Sequence, residues 1–116
     1  MPSNFEDDIE ELLNEAFPRC TILSQYAVKF GGDQLFIDFF IPSMNLAIEC
    51  QGEQHYKFVP HYHQSEEGFK SYLARDQAKR DWARKQKAIL VEIPFNQKPT
   101  TAAELFHFIY QNRAKK

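Results

Sequence analysis

Two acids stand inside apolar, strand-like runs where acids are poorly tolerated, and their placement constrains the fold more than any other feature. The stretch from Phe36 to Tyr56, FIDFFIPSMNLAIECQGEQHY, reads as two short strands, FIDFFI and NLAIECQ, joined by a Pro-Ser-Met turn. Asp38 lies in the first strand between Ile37 and Phe39. Glu49 lies near the end of the second, between Ile48 and Cys50, with Gln51 two residues on. Side chains in a strand alternate faces, so Phe36, Asp38 and Phe40 are expected on one side of the first strand. Ala47, Glu49 and Gln51 are expected on one side of the second. If the strands pair across the turn, the two carboxylates converge in apolar surroundings, where an uncompensated charge is costly. A cation removes that cost, and oxygen ligands from two carboxylates suit magnesium. The pattern predicts a hard-metal site held by Asp38 and Glu49.

The chain has 116 residues, room for one domain spanning 1–116 with one core. A hydrophobic content of 43% and eleven phenylalanines argue for a folded globule over a disordered segment. No apolar run approaches the ~20 residues a bilayer demands. The acidic opening MPSNFEDDIEE lacks the basic and apolar regions of a signal peptide. A cytoplasmic protein with no membrane partner is the expectation. Cys20 and Cys50 form no CxxC pair and read as reduced, buried thiols, with a disulfide as the competing reading.

A formal net charge of −2 argues by itself against nucleic acid, but its distribution argues the other way. Residues 1–53 hold ten acids against Arg19 and Lys29. Residues 70–87 hold seven bases (Lys70, Arg75, Lys79, Arg80, Arg84, Lys85 and Lys87) against Asp76 and Asp81. An acidic, metal-binding half beside a basic helix suits a polyanion held next to a cation. A solvated helix face explains the basic run equally well when that segment is taken alone.

Along the chain, Ser3 and Glu6 have capping-box spacing, and Ile9, Leu12, Leu13, Ala16 and Phe17 then recur at helical intervals up to Pro18. Tyr26, Val28 and Phe30 alternate as a strand, which Gly31-Gly32-Asp33 turns back. With the strands 35–41 and 45–51, this predicts an antiparallel meander. A polar, aromatic loop, Gly52 to Gly68, carries three histidines, and a helix is expected from about Glu67 to Lys87. Phe69, Tyr72, Leu73, Trp82 and Ala83 are its apolar contacts. AILVEI (Ala88 to Ile93) reads as a central strand. Thr101 and Glu104 cap a last helix expected to turn Leu105, Phe106, Ile109 and Tyr110 inward. The predicted order is α-β-β-β-α-β-α. That is an α/β fold with a small mixed sheet of about four strands flanked by helices, the last strand parallel to a neighbour.

A carboxylate on one strand followed by E-x-Q on the next resembles the PD-(D/E)xK restriction-endonuclease-like fold, with Gln51 at the position usually held by Lys and Ile37 in place of Pro. A longer likeness is more specific. Ser3, Glu6, Ile9 and Leu13, then DFFIPSMNLAIECQGEQHY, then Arg75, Asp76 and Lys79, then a strand ending Ile93-Pro94, together resemble one group of nucleases. These are the very-short-patch-repair-like endonucleases, including phage homing-type enzymes with an E-D-x-H-D signature. The likeness runs from about Ser3 to Phe95. It implies a magnesium- or manganese-dependent DNA endonuclease of phage or bacterial type that hydrolyses phosphodiester bonds. Position by position it implies Glu6, Asp38, His55 and Asp76 as catalytic, with Glu49 or Gln51 in the variable middle place. Asp38 and Glu49 would hold the metal, and His55 would exchange protons near neutral pH. Asp76 would orient that imidazole. Lys79 would help the metal carry transition-state charge that Gln51 cannot. Lys70, Arg75, Lys79, Arg80 and Arg84 would contact DNA.

Each residue also has a plainer reading. Glu6 suits a helix cap, Asp76 a helical ion pair beside Arg75 and four residues before Arg80, and His55 a loop histidine satisfied by backbone. His55, His61 and His63 could form a zinc site, although no fourth ligand has suitable spacing. Trp82 reads as core rather than as a base-stacking platform. The runner-up reading for the whole chain is a catalytically inactive nuclease-fold module that binds nucleic acid or a protein partner. No helix-turn-helix or zinc finger is present to read sequence. Specificity would then come from a DNA structure, a homodimer or a separate specificity subunit.

Overall fold

A computed structural model of the chain describes residues 4–53 and 56–113, with Tyr62 described by its backbone alone. Helix α1 (Phe5–Ala16) forms because Ile9 and Leu13, one turn apart, both find complete burial. Its cap is Asn4, whose Oδ1 accepts the Asp7 N–H at 2.8 Å. The expected Ser3 cap lies outside the described residues, and Glu6 spends its carboxylate elsewhere.

Strands β1 (Leu23–Phe30) and β2 (Asp33–Ile41) form a hairpin whose register closes at Phe30 opposite Asp33. The two residues between them, Gly31 and Gly32, have φ of 61° and 86°. A two-residue turn that matches strand twist needs positive φ at both positions, which glycine adopts without a steric penalty. A 3₁₀ turn over Pro42–Met44 leads into β3 (Leu46–Gln51), antiparallel to β2. The chain then passes through α2 (Pro60–His63) and α3 (Glu66–Gln86) before β4 (Ile89–Pro94), which runs parallel to β3. Parallel neighbours require a crossover of this kind. Helix α4 (Ala102–Arg113) follows, capped by Thr101 Oγ1 accepting the Glu104 N–H.

The sheet order is β1-β2-β3-β4, an α/β arrangement with a four-stranded mixed sheet, as the sequence predicted. One face packs Phe39, Ile41, Leu46, Ile48, Val91 and Ile93 under α1 and α4, through Ile9, Leu13, Leu105 and Ile109. The other face packs Leu35, Ile37, Phe40 and Ala47 under Trp82 and Ala83 of α3. Trp82 meets Phe40 edge-on at 6.0 Å, as a core residue does. Asn45, at φ 48°, fastens α3 to the sheet: its Nδ2 donates to the Gln86 and Lys87 carbonyls and its own carbonyl accepts from Ile89.

Four expectations need correction. Strand β4 lies at the edge of the sheet. Its apolar composition reflects cover by helices on both faces rather than strands on both sides. Phe106 and Tyr110 are exposed, because only the Leu105–Ile109 stripe of α4 meets the core. Leu73 is largely exposed too. Finally, Phe36, Asp38 and Phe40 do not share a face. Leu35 and Ile37 join the α3-side core, and so does Phe40, while Phe39 joins the opposite one. The alternation therefore flips at Asp38. Its counterpart in the β1 register, Gln25, has φ 48°, a left-handed backbone that interrupts the pleat of both strands at one place.

Candidate active site

The interruption at Asp38 is where the site forms. Pairing between β2 and β3 runs from Ile41–Leu46 to Phe39–Ile48, and one further step in that register would set Asp38 opposite Glu49. At that step the side chains take over from the ladder. The Asp38 N–H donates to Glu49 Oε2 at 2.6 Å, and the Cys50 N–H donates to Asp38 Oδ2 at 2.8 Å. Each carboxylate thus satisfies a backbone donor on the other strand. The two acids converge, as the sequence predicted, with Glu49 only 3% exposed.

Around this pair the electrostatics are crowded. Burial and then the charge of Asp38 push the Glu49 carboxyl up to about 7, against the opposing pull of Lys79. Burial and then Asp38 also hold Glu6 above its ordinary value. Lys79 reaches in from α3, its Nζ 2.8 Å from Glu49 Oε1. Burial alone would lower the Lys79 pKa, but the charge and hydrogen bond of Glu49 outweigh it and the ammonium is stabilised. On the other side, Gln25 Nε2 donates to Glu6 Oε2 at 2.6 Å and to Asp38 Oδ1 at 3.3 Å, linking the α1 acid to the strand acid.

Glu6, Asp38 and Glu49 are therefore brought together, and Asp76 is close by. A cleft of about 780 Å³ has Gln25, Asp38, Tyr72, Arg75, Asp76 and Lys79 in its walls. Asp76 is only 6% exposed, and Arg80 pairs with Glu92. His55 lies outside the described residues. His63 is buried against the rings of Phe58, Phe69 and Tyr72, and its Nδ1 accepts the Val59 N–H. That employs it in the fold rather than in a histidine metal cluster.

Two assignments change. Gln51 does not face the carboxylate pair: its Nε2 donates to Glu92 Oε2 at 2.5 Å and its Oε1 accepts from Tyr56 Oη at 2.6 Å. Nor do the bases form one DNA-facing row. Lys79 and Arg80 turn to acids of the sheet and Arg84 pairs with Asp81, while Lys70 and Arg75 remain exposed, Arg75 in the cleft wall. Gln25, Tyr56 and Glu92 are the participants that sequence reasoning missed. Gln25 carries no local signal, because its role depends on a left-handed backbone. Glu92 offered one, as an acid inside AILVEI.

Among the described residues no three His, Cys, Asp or Glu side chains group to hold an ion, so the ligand set on offer is the carboxylate pair. That pair fits a hard divalent cation. Its donors are all oxygen, and the charge of Asp38 helps to raise the Glu49 carboxyl even with Lys79 beside it. Magnesium commonly takes one or two carboxylates and keeps waters elsewhere.

No family model matches the chain, and no solved structure matches it. Two viral proteins are similar to part of it. Uncharacterized protein 307L of Invertebrate iridescent virus 6 is 39% identical over 70 residues, 60% of this chain and 36% of that protein. Uncharacterized protein 033L of Invertebrate iridescent virus 3 is 34% identical over 64 residues, 55% of this chain and 33% of that protein. The matched segments span about a third of the length of these curated relatives.

Proposed function

We propose that the chain is a magnesium- or manganese-dependent endonuclease that hydrolyses phosphodiester bonds in DNA, with the restriction-endonuclease-like fold that its sequence resembles. The observation that carries this reading is the reciprocal capping of Asp38 and Glu49 where β2 and β3 part, with the Lys79 ammonium 2.8 Å from Glu49. Glu49 is buried and Asp38 half-buried, and two acids held this close repel one another. They raise the cost of the folded state unless positive charge joins them.

Asp38 and Glu49 would hold the cation. When bound, it supplies Lewis-acid polarisation of the scissile phosphate and a more acidic water. Lys79 provides fixed positive charge beside it for the oxygens that gain charge in the transition state. Gln25 aims the Asp38 carboxylate and tethers it to Glu6, so Glu6 orients water or substrate from the α1 side. Asp76 acts from α3 in the same cleft. His55, four residues beyond Gln51, is the proton-exchanging group that the resemblance assigns. Arg75, in the cleft wall, and exposed Lys70 contact the phosphate backbone. The substrate's sequence or structure is set outside this core, by a second copy or a separate specificity subunit.

The test is cleavage of supercoiled, nicked, mismatched and single-stranded DNA with magnesium or manganese, comparing wild type with Asp38→Asn. The asparagine keeps an oxygen for the Cys50 N–H but removes the charge. Metal-dependent cutting by wild type that the variant abolishes is the expected result. Equal cutting by both, or none by either on any substrate, overturns the reading. In the second case, DNA binding without cutting would establish the inactive-module alternative.

A further inference from the structure

Glu49 and Glu92 are register partners on the parallel strands β3 and β4, so their side chains leave the sheet side by side. Each receives a base from α3, and the two bases are consecutive in sequence. Lys79 Nζ lies 2.8 Å from Glu49 Oε1. Arg80 grips Glu92 with Nε 2.8 Å from Oε1 and Nη2 2.8 Å from Oε2. Consecutive helix residues point about 100° apart. One helix can serve two adjacent strands in this way at only one rotation about its own axis. A bidentate arginine–carboxylate pair is directional enough to set that rotation.

The grip is itself braced. Gln51 Nε2 donates to Glu92 Oε2, and the opposite end of the same amide accepts from Tyr56 Oη. Gln51 is 5% exposed with both ends of its amide engaged. A lysine side chain at this position could donate to Glu92 but has nothing with which to accept from Tyr56. It would also set a second cation beside the Arg80 guanidinium.

We propose that Tyr56, Gln51, Glu92 and Arg80 are positioning residues that hold α3 at the rotation presenting Lys79 to Glu49. Gln51 is on this account a required amide, not a lapsed catalytic lysine. The inference rests on the nuclease reading only for its cleavage readout, and a second readout is independent of cutting.

Gln51→Lys, Glu92→Gln and the milder Tyr56→Phe are compared with wild type in two measurements. The first is steady-state DNA cleavage at saturating magnesium. Gln51→Lys and Glu92→Gln should each lose about tenfold or more in kcat while KM stays within about twofold. The second is the ¹H–¹⁵N signal of the Lys79 ammonium in metal-free protein, identified by its disappearance in Lys79→Arg. Pairing with buried Glu49 should protect that signal from solvent exchange in wild type, and both variants should lose it. Tyr56→Phe, which deletes one hydroxyl and spares the fold, should weaken it in the same direction. Gln51→Lys cutting as fast as wild type or faster overturns the proposal. So does a Lys79 signal unchanged in Glu92→Gln. If wild type cuts no DNA, the nuclease reading fails on its own and the ammonium signal alone decides the positioning claim.

Discussion

Lys79 neutralises a carboxylate that is almost wholly buried and, on the proposed nuclease reading, carries the positive charge that β3 does not supply. Lys79→Met should therefore lower kcat by about 10²–10³-fold, the cost of removing one preorganised donor from a transition state. Single-turnover cleavage measures this, and a loss under about threefold would remove Lys79 from the chemistry. Glu49 makes a prediction of its own. Its carboxyl rises from the ordinary 4.5 to about 7 in the folded protein, so folding tightens its hold on a proton. The stability contributed by that shift is fully present below about 4.5 and is lost as pH rises through about 7. Metal-free wild type should accordingly lose Tm relative to Glu49→Gln between about pH 5 and about pH 8. Parallel Tm curves would contradict the shift. By the same linkage, magnesium should bind more tightly as pH climbs through 7, since the cation and the proton compete for one carboxylate.

At the scale of elements, α3 separates its bases by direction. Lys79 and Arg80 are drawn to the sheet, whereas Lys70 and Arg75 stay exposed, with Arg75 on the cleft. Arg75→Ala and Lys70→Ala should each flatten the dependence of log K for DNA on log salt by about one. Fluorescence anisotropy over a salt series measures the slopes, and unchanged values would leave this end of α3 merely solvated. The extent of α3 was legible to within a residue, expected from about Glu67 to Lys87; Ser65 caps it through the Gly68 N–H, and the left-handed backbone of Lys87 ends it. Its facing was not legible. Only Asp76, Trp82 and Ala83 are buried along 21 residues, so no apolar stripe announces an inner side. The first hairpin shows the opposite balance. Gly31-Gly32 revealed its turn, but nothing in the composition of β1 revealed that Gln25 would leave the pleat and carry Asp38 with it.

For the whole molecule, one sheet separates two cores. Leu13 belongs to the α1/α4 side and Trp82 to the α3 side. Leu13→Ala should cost about 2–5 kcal/mol and Trp82→Ala about 3–5 kcal/mol. Because they share no partner, the double variant should lose nearly the sum. Urea unfolding measures all three, and strong non-additivity would mean that the faces are coupled through the sheet. By itself the sequence determined the order of the longer elements, though not the short α2 within the expected Gly52–Gly68 loop, the antiparallel meander, the parallel return of β4 and the meeting of Asp38 with Glu49. These follow from short-range periodicity, turn chemistry and the reach of short connections. Only the tertiary structure decided that β4 is an edge, that the pleat flips at Asp38, and that Lys79 faces Glu49 while Gln51 serves Glu92. Those outcomes depend on the rotation and docking of whole elements, which are set by contacts between residues tens of positions apart that leave no local pattern.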